Sequence, residues 1–231
     1  WYNGSMIHFV KKIGCALIPV LFVVSCVSQA PKKRTMIADV DPIPLGSVGI
    51  AFDQLFSSTL DTKDVPVQFN PRDDTVSLEF RYQTVIYRQY WDRAGRDRFM
   101  AAVQQYHTDF EARNLSTKAS KSRAAYGSAS ARAEWGQFAF SVNACSYPRM
   151  DLGYRFKGNS PYFTVVQREA RDTIMPTADD SRMSLRITTY FTRSTADKMA
   201  ALFDPAYLAG VLEAQGISGE TEEEPVSDPY F

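Results

Sequence analysis

The chain has 231 residues, 45% apolar and 13% aromatic, ample for a packed core and too rich for a wholly disordered chain. Its 26 basic and 26 acidic side chains balance, so the basic excess usual in a nucleic-acid binder is missing. Of its three cysteines and two histidines only Cys145 and His107 lie beyond residue 26, too few for a zinc site built from Cys and His clusters.

Met6 reads as the start of the export segment, with Trp1 to Ser5 as an upstream extension. Lys11 and Lys12 precede twelve largely apolar residues, Ile13 to Val24, and the run ends on Val23-Val24-Ser25-Cys26. Twelve such residues fall short of the ~20 that cross a bilayer as a helix. The four-residue ending resembles the bacterial lipoprotein signal: a branched apolar residue, a small apolar one, Ser, then Cys. That resemblance implies recognition through Val23, Val24 and Ser25, cleavage before Cys26, and a diacylglyceryl and fatty-acyl group such as palmitate on the Cys26 thiol. It also implies an anchor on the periplasmic face of the inner or outer membrane, or at the cell surface. Each buried methylene adds about 0.8 kcal/mol to such anchoring. Cleavage would remove Lys11 and Lys12 and leave 24 basic against 26 acidic side chains, net −2. Cys145 would then lack a partner, and no intramolecular disulfide is expected in a compartment that permits one. The signal, the aromatic strands and the absent disulfide are together similar to lipoproteins of spirochaetes.

Residues 26–47 read as the lipidated cysteine and a flexible tether, with Pro31, Pro42, Pro44 and the run Lys32-Lys33-Arg34. One folded domain is expected over 48–216. Gly49 to Leu60 spaces its apolar residues closer to a helix than to a strand. Val65, Val67 and Phe69 alternate as a strand, and Asn70 to Asp74 form a turn. From Val76 to Tyr90 strict alternation predicts one long half-buried strand. Asp92 then caps a helix to about Arg113, its stripe formed by Phe99, Val103, Tyr106 and Phe110. Tyr126–Trp135 and Phe138–Val142 read as strands. Leu152 to Phe156 and Tyr162 to Glu169 make a hairpin about Gly158-Asn159-Ser160-Pro161, and Met183 to Phe191 is the last strand. Ser194 to Asp197 resembles a capping box. Asp204-Pro205 restarts the helix, which Gly216 ends. The acidic stretch 217–231 has no apolar period and reads as a disordered tail. This order predicts an α+β fold, a mainly antiparallel sheet with helices packed on one face.

No catalytic residue, metal site or cofactor is expected. A Ser-His-Asp or Cys-His arrangement would have to use His107, which stands beside the helix stripe. There is no phosphate loop and no dinucleotide fingerprint. Asp39 and Asp41, Asp73-Asp74 and Asp179-Asp180 fall in loops and lack the glycine-bearing frame of a calcium site, so turn and cap duty explains them. Seventeen of the 24 remaining basic residues are arginine, and Arg81, Arg88, Arg155, Arg168, Arg182 and Arg186 fall on or beside predicted strands. Two readings stay open. Arg81, Arg88, Arg155, Arg168 and Arg186 could gather beside Tyr87, Tyr190 and Trp91 and bind a planar anion through paired hydrogen bonds. Alternatively, and with more weight, they stand on a solvated face paired with Glu79, Glu134 and Glu169. The expectation is a non-enzymatic envelope protein, held on a membrane by its N-terminal lipid, that binds a partner protein or envelope component in a structural or assembly role and does not bind nucleic acid. The alternative is a carrier or sensor of an anionic or hydrophobic small ligand through an Arg/aromatic site.

Overall fold

Residues with alternating burial dominate the computed structural model, which describes residues 37, 40–54, 59–117, 124–136, 144–175 and 182–217. The expected signal and lipidation residues Val23, Val24, Ser25 and Cys26, most of the tether, the strand 138–142 and the acidic tail beyond Ile217 lie outside these. The first strand, β1 (Ile43–Asp53), opens five residues before the boundary expected at 48. Pro44, Gly46 at φ +112° and a bulge between them give its start the look of a linker. The helix expected over 49–60 is instead the end of β1 and the start of β2 (Leu60–Asn70). Val48, Ile50 and Phe52 alternate and are all buried, so the period is two.

The single strand expected over 76–90 is a hairpin of β3 (Thr75–Tyr82) and β4 (Val85–Trp91). Its turn is Gln83-Thr84, with Gln83 at φ 56°. A two-residue turn pairs even positions of β3 with odd positions of β4, as in Phe80 with Tyr87. The buried set therefore changes phase, from Val76, Leu78 and Phe80 to Tyr87, Gln89 and Trp91.

Asp92 caps α1 (Arg93–Glu111) by accepting from Gly95 N at 2.7 Å, as expected from its place before the stripe. Then come β5 (Ser128–Ser130), β6 (Arg132–Gly136) and β7 (Ala144–Ser146). The expected hairpin is β8 (Arg149–Lys157) with β9 (Ser160–Gln167). The last strand, β10, is shorter than expected, Ile187–Phe191. Met183 makes an isolated bridge with Arg171 instead. Thr192, not the Ser194 box, caps α2 (Arg193–Phe203), accepting from Thr195 N at 3.2 Å. Asp204 caps α3 (Pro205–Ala214), and Gly216, at φ +69°, follows its end.

The ten strands of the described residues join one antiparallel sheet in the order β5-β8-β9-β10-β1-β2-β3-β4-β6-β7. Two meanders, β1 to β4 and β8 to β10, meet where Ala51 pairs with Tyr190 and Phe52 with Thr189. The sheet curls. Gln89 on β4 donates to Gln167 on β9 at 2.8 Å, although β10, β1, β2 and β3 stand between them in the strand order. One apolar cluster fills the curl. Phe99 of α1 lies edge-on to Phe163, Phe191 and Phe203, with ring centroids 5.1–5.9 Å apart, and Trp91 packs on Phe99 and Phe203. Full burial of each such ring contributes about 1.5–3 kcal/mol.

Candidate functional site

The arginines singled out in the sequence do not form one cluster. Arg81 and Arg88 lie on β3 and β4, whereas Arg155, Arg168 and Arg186 belong to β8 and the ends of β9 and β10, across β1 and β2 in the strand order. Arg88 pairs with Glu79, Arg132 with Glu134, and Arg186 stands 3.8 Å from Glu169. Arg168 reaches Asp151 at 2.5 Å and Arg149 reaches it at 2.8 Å, which compensates a fully buried carboxylate. Arg81 is exposed, and its carbonyl accepts from Lys63 Nζ. Tyr87 and Trp91, expected beside these arginines, are each 1% exposed and face the core, because the hairpin turn shifts the phase of β4. Arg182 pairs with the buried Asp172 at 2.6 Å. α2 lies against His107: Nε2 stands 2.8 Å from Asp197 Oδ1, and Nδ1 accepts from Arg193 Nε at 3.3 Å. Asp73 accepts from the Thr75 hydroxyl and Asp74 holds Arg96, which is turn duty.

The strand register builds a different site. Ala51 pairs with both Thr62 and Tyr190, and Arg155 pairs with Tyr162. Directly opposite residues share a face. Gly49, Ala51 and Asp53 therefore point the same way as Thr62, Tyr162, Tyr190, Arg155 and Lys157, away from the core residues Val48, Ile50 and Phe52. Glycine at 49 and alanine at 51 leave a low floor. Tyr162, Tyr190, Lys157 and Thr62 form the walls, and Thr192 and Thr195 close one side from the start of α2. The hollow measures about 740 Å³. Small-molecule sites span roughly 300–1,000 Å³.

Asp53 organises the chemistry there. Lys157 Nζ donates to its Oδ1 at 2.5 Å, and the Tyr190 hydroxyl donates to its Oδ2 at 2.8 Å. Lys157 also stands 5.1 Å from the centre of the Tyr190 ring. Burial alone would lower the Lys157 ammonium, but the Asp53 carboxylate and Tyr190 outweigh it and hold its pKa above the usual lysine value. Burial raises the Tyr190 phenol and Asp53 adds to that, with Arg155 opposing. The ammonium and the phenol are thus both held on one carboxylate. The Tyr162 ring stands 6.1 Å from Tyr190 at 87°. A second hollow, about 340 Å³, lies along Pro66, Gln68, Ser77, Glu79, Arg88 and Tyr90, and the guanidinium there is already paired with Glu79. Among the described residues no three His, Cys, Asp or Glu side chains gather as a metal site, and no helix is long and apolar enough to cross a membrane.

Residues 42–209, from the residue before β1 into α3, match the family described as "Uncharacterised Treponema protein". The chain belongs to this treponemal family. It is similar to a protein of Treponema pallidum (strain Nichols) described as "Uncharacterized protein", with 27% identity over 154 residues. That match covers 66% of this chain and 55% of the relative, so the chain spans about half the length of the curated protein it matches. No solved structure matches. The spirochaetal resemblance of the sequence is thus met by a treponemal family. In this member Asp53, Lys157, Thr62 and Tyr162 escaped the reading of the residues. The one local signal was the run Gly49, Ala51, Asp53, small and polar positions alternating with a buried set.

Proposed function

We propose that this treponemal protein is exported, lipid-anchored through Cys26, and works by binding an envelope component without transforming it. The Val23-Val24-Ser25-Cys26 ending supports the anchor, and the 740 Å³ hollow carries the binding reading. In this reading α1 and α2 pack on the core side of the sheet through Phe99 and Phe203, the first turn of α2 edges the hollow, and the opposite face serves the ligand. Asp53, behind the lining, is already hydrogen-bonded to two donors, and the lining itself holds no carboxylate for paired acid and base work. That favours holding a ligand over hydrolysing it. A photo-crosslinking side chain at position 62, on the wall, should capture an envelope component in intact cells. The same side chain at position 81, on β3, should not. Equal capture at both positions, or none at 62, would remove the hollow from the function.

A second reading has its own observation. Tyr147, Ile174 and Met175 are 66%, 65% and 61% exposed. They lie beside β7, where Thr173 N donates to Cys145 O at 2.8 Å. Exposed apolar groups of this size suit a protein partner.

A further inference from the structure

We propose that the hollow above Gly49 and Ala51 takes a neutral, hydroxyl-bearing sugar ring, with one face on Tyr162 and its hydroxyls toward Lys157 and Asp53. This rests on the reading of the hollow as a binding site and names the class of ligand. Charge decides first between an anion and a neutral polar ligand. Lys157, the cation of the lining, is 2.5 Å from Asp53, and Arg155, on the same face, is turned to the Tyr190 hydroxyl and does not line the hollow, so an anion would have to compete with a carboxylate already in place. The pair offers a neutral ligand both a donor and an acceptor, each charged, and hydrogen bonds to charged groups are the stronger kind. The remaining polar lining is hydroxyl-rich, including Thr62, Thr192, Thr195 and Tyr162. A hydroxyl both donates and accepts, as a sugar's own hydroxyls do.

Shape points the same way. A pyranose ring has an apolar C–H face and a polar rim, and it needs a flat aromatic surface beside fixed polar groups. Tyr190 is 1% exposed and Lys157 stands over its ring, so that face is taken. Tyr162 lines the hollow, is half-buried, and stands nearly perpendicular to Tyr190. The floor of Gly49 and Ala51 lets a ring sit close to the sheet. Both residues that fix the rim, Asp53 and Lys157, are themselves held in place, so little side-chain freedom is lost on binding.

The test is saturation-transfer NMR on the full chain with glucose, galactose and N-acetylglucosamine, and phosphorus line-broadening with inorganic phosphate. At least one sugar should bind, with little change between low and high salt, since no net charge is neutralised. Tyr162→Ala should weaken it by about tenfold through loss of one stacked face, and Tyr162→Trp should retain it. Asp53→Asn should weaken it by about tenfold or more, as expected for a charged hydrogen bond. Unchanged melting temperatures identify variants that remain folded. If Asp53→Asn melts early, the Tyr162 pair decides. Binding of phosphate alone, of no sugar, or of a sugar equally well to Tyr162→Ala overturns the proposal. Capture of an envelope component at position 62 with no sugar binding would overturn the ligand class and leave the binding reading standing. No capture and no sugar binding would remove both.

Discussion

Arg96 is 1% exposed, an uncommon place for a guanidinium. It donates to the Asp74 carbonyl, to Asp74 Oδ1 at 2.7 Å and to the Trp91 carbonyl at 3.1 Å. It thereby ties the β2–β3 turn, where Asp74 sits at φ 49°, to the first turn of α1. The Asp74 side chain is 49% exposed and stays hydrated once its partner is gone, so the larger penalty of a stranded buried charge does not apply. Arg96→Ala should cost about 2–3 kcal/mol in urea unfolding, in line with hydrogen bonds to charged groups. Arg96→Lys should recover little, because a compact ammonium on a shorter side chain cannot reproduce the planar fork that meets these oxygens. Asp172 carries a pH-dependent counterpart. Burial would raise its pKa, but the amides of Cys145, Ile174 and Met175 and the Arg182 guanidinium hold it at about 2. A carboxyl depressed in the folded state stabilises at pH above its unfolded pKa of about 4, and that contribution fades as pH falls toward 2. Asp172→Asn should therefore lower the melting temperature at pH 6, with the gap to the parent closing between about pH 4 and 2. A gap that is constant with pH would show that the carboxylate charge is not what stabilises.

At the scale of elements, the β3–β4 hairpin turns without a glycine. Gln83 sits at φ 56°, a conformation that costs a non-glycine L-residue about 1–2 kcal/mol. Gln83→Gly relieves that cost but loosens the unfolded chain, so a net gain of about 0.5–1 kcal/mol is expected in chemical denaturation. The same turn explains why the sequence shows one strand where the chain makes two. Gln83-Thr84 carries none of the usual turn residues, and a two-residue turn lets alternation run on while the buried set changes phase. The helices were legible because their caps are local: Asp92 and Asp204 serve amides two or three residues away. Arg96 could also have been found, since the α1 stripe extended three residues back from Phe99 lands on it. The hollow could not. Asp53, Thr62, Lys157 and Tyr190 come from four strands, and Asp53 and Tyr190 are 137 residues apart. Only the pairing of β2 with β1, β1 with β10, β10 with β9 and β9 with β8 brings them together, and periodicity within one strand carries no information about pairing between strands.

Across the whole molecule, the Gln89–Gln167 bond links β4 to β9 inside the curl, between residues 4% and 1% exposed. Gln89→Leu alone should cost about 1–3 kcal/mol, since it strands a buried amide. Gln89→Leu with Gln167→Leu should lie much closer to the parent, because replacing both partners by apolar groups of similar shape is nearly neutral. Additive losses would show that the pair does not couple the two halves. The anchor is tested at the same scale: Cys26→Ala should abolish radiolabelled palmitate incorporation and release the protein into the soluble fraction, and persistent labelling would refute it. The meeting of β1 with β10 also sets a timetable. The N-terminal meander lies between residues 43 and 91, whereas the strand that pairs with the free side of β1 ends at 191. A chain emerging N-terminus first must leave Ala51 and Phe52 of β1 unpaired on that side until its last sixth of described sheet and helix arrives. Loop closure over such a separation is slow. Folding should thus be limited by the completion of that central seam, and a chain stalled before residue 187 should be the species that a holding chaperone protects.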